Sequence, residues 1–433
     1  MTRSSRLIND TDAEDGRVNE TAHLRADGPP GRPATHRVAL VHSFYSSRQP
    51  SGENVAVMDQ SETLRAAGHD VTVITGHTDD LEREPGYALR AAVRVGTGRG
   101  RSPLAELRRL DPDVVHVHNL FPNFGTAWLA SWPGALVATL HNYRSACAAA
   151  TFFRNGTMCT ACPDGDSWAG LRHGCYRGSR TATLPLAWAG RHGAAAHPLL
   201  RRADRMVALS ELSRDLFLRL GVAEERLALV PNFVDVEHAT MRLTATPERA
   251  HRASRWLYVG RLSEEKGILP LLRNWPENEP LDVIGSGPLE SACRAAAPTS
   301  VQFFGPFPRT EIATRLPRYI GLIYPSVCPE SAASLVYQEA LAAGVPVLAL
   351  AGSATADNVH RIGTGAVYTD PDLPQALRAA RTHFPELHKR CIQMHARYYT
   401  KRSWTEGIAA VYADAVQQAA YRRARGGGKP SPH

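Results

Sequence analysis

The sequence predicts an α/β fold of two doubly wound, parallel-sheet domains facing each other across a cleft. Three observations predict it. The chain has 433 residues, enough for two domains. Short β-rich apolar runs alternate with helical stretches, the pattern of a parallel sheet covered on both faces. That series runs once, stops at a polar stretch, and starts again.

Residues 1–35 are polar, carry charges of both signs, and read as a flexible tail. The first domain is expected over 36–240. Its strands fall at 36–42, 71–75, 114–118, 136–140, 205–209 and 227–230, each a short apolar run. After the first strand come Ser51-Gly52-Glu53-Asn54 and a helix from Val55 to Ala67, with Gly68 at the C-cap position. A Cys-rich loop spans 145–180. A polar linker at 241–253 leads into a second domain over 254–395. Its strands are expected at 256–259, 281–284, 301–304, 321–324 and 345–350. A last long helical pattern covers about 385–425, and its part at 396–425 is expected to return to the first domain. Residues 426–433 should fray.

Hydrophobic residues make up 43% and charged residues 21%, which excludes a disordered chain. No run reaches the ~18 apolar residues that span a bilayer, and the N-terminus has no apolar signal core. No transmembrane segment and a cytoplasmic location are therefore expected. The net charge of +8 raises nucleic acid as a partner. The arginines are dispersed, however, and the only short basic tail is Arg422-Arg423-Ala424-Arg425, so no nucleic-acid partner is expected. Seven cysteines, an odd count, argue against a disulfide framework.

The chemistry-bearing motifs cluster after strands. Val259-Gly260-Arg261-Leu262-Ser263-Glu264-Glu265-Lys266-Gly267 puts two cations beyond a strand end. Gly260 permits close backbone approach; Arg261 can grip a phosphate bidentately and Lys266 adds a point charge. Gly285-Ser286-Gly287-Pro288-Leu289-Glu290 has Glu where G-x-G-x-x-G needs its third Gly, against a dinucleotide dehydrogenase. A Pro-rich turn holding Glu330, Ser331 and Ser334 leads into a helix from Leu335 that carries Glu339. The N–H groups at such a helix start bind phosphate. His116 and His118 share one face of their strand, with His118 nearest the cleft end and His116 the structural one of the pair.

The order G-R-L-x-x-x-K-G, I-G-x-G-P-L-E, then P-E-S with E-A-L-A-A-G-V-P-V resembles the retaining GT-B enzymes of glycosyltransferase family 4. In the first half Ser51–Asn54, Asp113–Asn119, Thr139–Arg144, Ala208–Asp215 and Val230–Asp235 agree with it. The resemblance covers about residues 36–400. It implies transfer of a sugar, with retention, from a nucleotide-sugar donor to a small-molecule acceptor. It further implies that Arg261 and Lys266 bind the donor diphosphate with Gly52 facing the same phosphates. His141 lies near the transferring sugar, Glu339 binds the ribose, and Gly287 and Phe307 lie by the base. Eight residues lie between Glu330 and Glu339 where the family has seven, so Glu330, with a one-residue insertion in the loop, or Ser331 holds the first Glu position.

The leaving diphosphate needs its negative charge stabilised, which Arg261, Lys266 and the helix start near Ser334 and Leu335 can do. With two cations present, no cofactor is required for catalysis. The resemblance further implies that the leaving phosphate oxygen takes the acceptor proton and that His141 positions the sugar. His118, Asn142 and the 145–180 loop are the acceptor-side candidates. Asp164 and Asp166 are turn residues or partners of a cationic acceptor. Cys147, Cys159, Cys162 and Cys175 include a C-x2-C pair, which leaves two readings open, a structural zinc site or reduced thiols packed in a loop. A UDP-linked glucose or N-acetylglucosamine donor and an aminocyclitol antibiotic acceptor are expected. The alternatives are cell-surface polysaccharide assembly, a nucleotide-sugar-binding scaffold, or a nucleic-acid binder. No oligomeric state is assigned.

Overall fold

A strand covered on both faces must be apolar along its length, and β1 (Arg37–Phe44) is buried from Val38 to Ser43. The computed structural model describes residues 35–47, 51–235, 254–329 and 334–426. Residues 1–34 of the expected N-terminal tail, the 241–253 linker, Glu330, Ser331 and residues 427–433 of the end expected to fray lie outside the described residues, while Gly426, also expected to fray, closes a helix.

Two six-stranded parallel sheets form the core. The first comprises β1, β2 (Asp70–His77), β3 (Val114–Asn119), β4 (Ala135–Thr139), β7 (Arg205–Ala208) and β8 (Leu227–Leu229), in the order β2-β1-β3-β4-β7-β8. A small antiparallel hairpin, β5 (Phe153–Arg154) with β6 (Thr157–Met158), stands apart from it. The second sheet comprises β9 (Trp256–Val259), β10 (Leu281–Ile284), β11 (Val301–Gly305), β12 (Leu322–Tyr324), β13 (Val347–Leu350) and β14 (Gly365–Tyr368). Its order is β11-β10-β9-β12-β13-β14. The expected strands are present. The structure adds β14, a half-exposed edge strand whose Gly-Ala-Val-Tyr lacks a strong apolar run.

The structure differs from the sequence reading at two helices. The Gly52–Ala66 helix starts three residues earlier than expected, because Ser51 caps it by accepting from the Asn54 N–H. The long C-terminal pattern is two helices, Leu373–Tyr398 and Lys401–Gly426. Between them the Ser403 N–H donates to Thr400 Oγ1, and the Thr400 N–H donates to Ser403 Oγ, both at 3.1 Å. This reciprocal cap restarts the helix in a new direction.

The Lys401–Gly426 helix crosses back onto the first sheet. Trp404, Ile408, Val411, Tyr412, Ala415 and Ala419 form one buried stripe against Val38, Leu40, Val114 and Val137. Tyr412 is fully buried, and its hydroxyl meets His116 Nδ1 at 2.9 Å. Arg422 of the short basic tail pairs with Asp204 and donates to the Pro133 and Gly134 carbonyls, so this arginine serves packing within the chain. Replacing Tyr412 by Phe removes a partner from a buried imidazole. It is expected to lower stability by about 1–3 kcal/mol in urea unfolding, with little change in helix content.

Candidate active site

In an open parallel sheet the ligand crevice forms beyond the strand carboxyl ends, where adjacent crossovers leave in opposite directions. That point lies between β1 and β3 in the first sheet and between β9 and β12 in the second. The motifs singled out above follow these strands and their neighbours.

On the first-domain side, β1 supplies His42, β3 supplies His118, and His141 follows β4. Pairing of β1 with β3 runs Val41 to Val117 and then His42 to Asn119, so His118 is passed over in a bulge. Its Nδ1 lies 3.0 Å from His141 Nε2. His116 uses both ring nitrogens within the fold, at 2.9 Å from Tyr412 Oη and 2.8 Å from Thr139 Oγ1. His42 Nε2 is 3.0 Å from Asn54 Oδ1. Asn142 Nδ2 donates to Glu53 Oε2 at 3.2 Å, and Asn142 Oδ1 accepts from the Arg144 N–H at 3.0 Å. His42 Nδ1, His118 Nε2 and Asn119 Nδ2 are buried without a hydrogen-bond partner among the described residues. Orphaned polar atoms gathered at one strand rim mark a place where a polar ligand completes the bonding.

Burial keeps these imidazoles neutral. It pushes the pKa of His42 down to about 4 and that of His141 down to about 3, with neighbouring imidazoles adding to the shift. His118 is held well below its ordinary value for the same reasons, and His116 falls to about 3 by burial alone.

On the second-domain side, two loops lock together. The Leu262 N–H donates to the Ser286 carbonyl at 3.0 Å, and the Leu289 N–H to the Leu262 carbonyl at 2.9 Å. Glycine is obligatory here. Gly285 has φ +141°, and a Cβ on it would lie 1.9 Å from the Gly260 carbonyl oxygen; one on Gly287 would lie 2.4 Å from that of Leu262. Arg261 projects outward, exposed, and its carbonyl accepts from Tyr258 Oη at 3.0 Å. Lys266 ends a 3-10 turn capped by Gly267 at φ +67°. Ser334 is the N-cap residue of the Leu335–Ala342 helix and makes no side-chain cap bond. Phe307 packs on the domain core with the Arg315 guanidinium 4.4 Å from its ring centre.

The two sides meet. A Cβ on Gly52 would lie 3.9 Å from Leu335 Cδ1, so two helix starts, one from each domain, face each other. Glu339, 7% exposed, is ion-paired with Arg309 Nε. Arg309 Nη1 reaches across to Asp59 Oδ2 at 2.9 Å. Cys328 Sγ contacts the Thr151 carbonyl at 3.2 Å. A cavity of about 360 Å³ lies between Phe153 and Gly156 of the hairpin and Glu264, Gly267 and Pro325.

The sequence matches the Glycosyltransferase Family 4 profile over residues 50–238 and the Glycosyl transferases group 1 profile over residues 253–383. Together they cover the second sheet and all of the first except β1. The chain belongs to the GT-B glycosyltransferases of family 4 and group 1. Solved structures agree in fold. The sucrose-phosphate synthase of Thermosynechococcus elongatus is 18% identical, with a TM-score of 0.59 over 90% of this chain and 100% of its own. Anabaena HepE, solved in complex with UDP and glucose, is 15% identical, with a TM-score of 0.54 over 87% and 99%. AviGT4, a glycosyltransferase of avilamycin A biosynthesis, is 15% identical, with a TM-score of 0.55 over 88% and 98%. No curated protein matches the sequence.

In this glycosyltransferase the structure brings together Gly52, His118, His141 and Asn142 on one rim and Gly260, Gly287, Leu335 and Glu339 on the other. Sequence reasoning missed His42, Asn54, Asp59 and Arg309. His42 had a signal, since the runs 36–42 and 114–118 each end in His and His141 directly follows the run 136–140. Arg309 and Asp59 carried none.

Cys147, Cys159, Cys162 and Cys175 are free thiols that line one water-sized cavity of about 20 Å³ with His173. Burial, then the neighbouring sulfurs, raises the pKa of Cys175 and Cys162, favouring the protonated thiol. Among the described residues no three His, Cys, Asp or Glu side chains form a group arranged to hold a metal ion. No described helix is long and apolar enough to cross a membrane.

The neutral imidazoles give a stability prediction. Unfolded imidazoles protonate near pH 6.5, whereas His42 and His141 stay neutral down to about 4 and about 3. Their contribution is complete above pH ~6.5 and is lost as pH falls towards the folded values. Each should cost about 2 kcal/mol of stability by pH 5. Urea unfolding at pH 7.5 and 5.0 should show the loss, and His141→Gln should reduce it.

Proposed function

We propose that the enzyme transfers a hexose or N-acetylhexosamine from a UDP-linked donor to a hydroxyl of a small acceptor, with retention of configuration. The observation that carries this reading is the meeting of Gly52 with Leu335 beside the Arg309 bridge. In this reading the donor lies between the first-domain imidazoles and the loops of Arg261 and Lys266. HepE, of the same fold, is solved with UDP and glucose, which supports the choice of donor.

In this mechanism the diphosphate leaves toward Arg261, Lys266 and the positive start of the Leu335–Ala342 helix. Those groups meet charge as it develops, which favours the transition state over the bound donor. His141, with a pKa of about 3, is a poor proton acceptor near pH 7. Its work is to hold a donor-sugar hydroxyl while the leaving phosphate oxygen takes the acceptor proton. Asn142, fixed by Glu53 and the Arg144 N–H, offers a rigid amide on the acceptor side.

For the acceptor we propose an aminocyclitol of an antibiotic pathway; AviGT4, of the same fold, acts in avilamycin A biosynthesis. A specific observation favours a second reading, cell-surface polysaccharide assembly. Leu89, Val93, Leu184, Trp168 and Trp188 are exposed on or beside the paired helices Tyr87–Thr97 and Arg180–Gly190, with Arg191 stacked on Trp188. Exposed tryptophan and arginine suit a membrane interface. An acceptor screen with and without anionic vesicles separates the two.

Calorimetry with UDP, GDP, UDP-glucose and UDP-N-acetylglucosamine tests the donor. UDP and one UDP-sugar should bind, and Arg261→Ala should weaken UDP by about 10–100-fold, the loss of charge-assisted bonds to phosphate. Absence of nucleotide binding would overturn the reading. In turnover assays His141→Ala should lower kcat by at least about tenfold with little change in UDP affinity, and NMR of the product should show the donor anomer retained.

A further inference from the structure

Arg309 stands where the two domains meet, yet it belongs to none of the motifs that point to the donor site. Its guanidinium is a planar fork with donors in fixed directions. Nη1 pairs with Asp59 of the Gly52–Ala66 helix at 2.9 Å. Nε pairs with Glu339 Oε1. Nη2 is buried and has no hydrogen-bond partner. Nε and Nη2 form one edge of the fork, so the unpartnered donor lies beside the Glu339 carboxylate. A buried N–H at such a place is costly unless something accepts from it.

We propose that Arg309 is a donor-binding residue that completes the grip on the ribose. The inference rests on the nucleotide-sugar reading. A ribose hydroxyl gives its hydrogen to Glu339, and the same hydroxyl oxygen accepts from Arg309 Nη2. The hydroxyl is then satisfied in both directions, and the orphaned donor is paired. Asp59 holds the fork from the opposite domain, so ribose binding engages a residue that already bridges the cleft. Lys at this position would keep a charge for Asp59 but lacks the second directed N–H of the edge.

The test compares UDP with 2′,3′-dideoxy-UDP by calorimetry on the full chain. The wild type should prefer UDP. Arg309→Ala should weaken UDP by about tenfold while leaving dideoxy-UDP unchanged, so that the preference collapses. Arg309→Lys should collapse it as well, and guards against a folding defect in the alanine variant. Asp59→Asn should reduce the preference in part, again with dideoxy-UDP unchanged. If Arg309→Ala weakens both ligands equally, the residue serves only domain packing and the proposal is overturned. An unchanged UDP affinity overturns it too. If the wild type binds no nucleotide, the functional reading itself has failed, a distinguishable outcome.

Discussion

Parallel strands deliver all their carboxyl ends to one rim, and this constraint organises the rest of the molecule. Each sheet reverses strand order once, beside β1 and beside β9. The crevice at each reversal is the one stretch of rim that no crossover covers. Every group in the candidate site hangs from such a rim, which is why residues far apart in the chain share one cleft. The same constraint buries both sheet faces, so polar chemistry is confined to strand ends and to the loops beyond them.

The two rims differ in electrostatic character, and the difference matches a division of labour. On the first-domain side burial strips charge from four histidines, leaving neutral imidazoles that can both donate and accept. On the second-domain side Arg261 is exposed and Lys266 half-buried, both in the segment that follows β9. A neutral hydrogen-bonding surface suits sugar hydroxyls, and a cationic one suits phosphate. Glu339 is the exception, a buried carboxylate paired with Arg309. Burial raises its pKa and Arg309 pulls it back toward the ionised form.

The C-terminal helix ties these rims into one chain. It leaves the second domain at Thr400, where a local cap overrides an otherwise continuous helical pattern, and lays its apolar stripe under β3 and β4. Tyr412 then reaches His116, whose ring lies 4.2 Å from that of His118. The last helix therefore supports the floor on which the first-domain imidazoles stand.

Much of the fold was legible before any coordinates. Apolar runs of four to six residues marked the strands because a doubly covered strand has no polar face to disguise it. The edge strand β14 escaped notice because half of it faces solvent. Gly285 and Gly287 were legible as a signature, but their necessity, a backbone approach that leaves no room for a Cβ, appeared only once the loops were packed. The Thr400 break was hidden because its side chains cap a helix only in one local geometry. The sequence by itself determined the periodicity, the order of the motifs and the placing of cations after strands, all properties of neighbouring residues. The tertiary structure alone decided that His118 would sit in a bulge against His141. It alone decided that Arg309 would reach an aspartate 250 residues away. Such contacts follow from strand order and register, which bring distant loops to one rim and leave no trace in the local pattern of either partner.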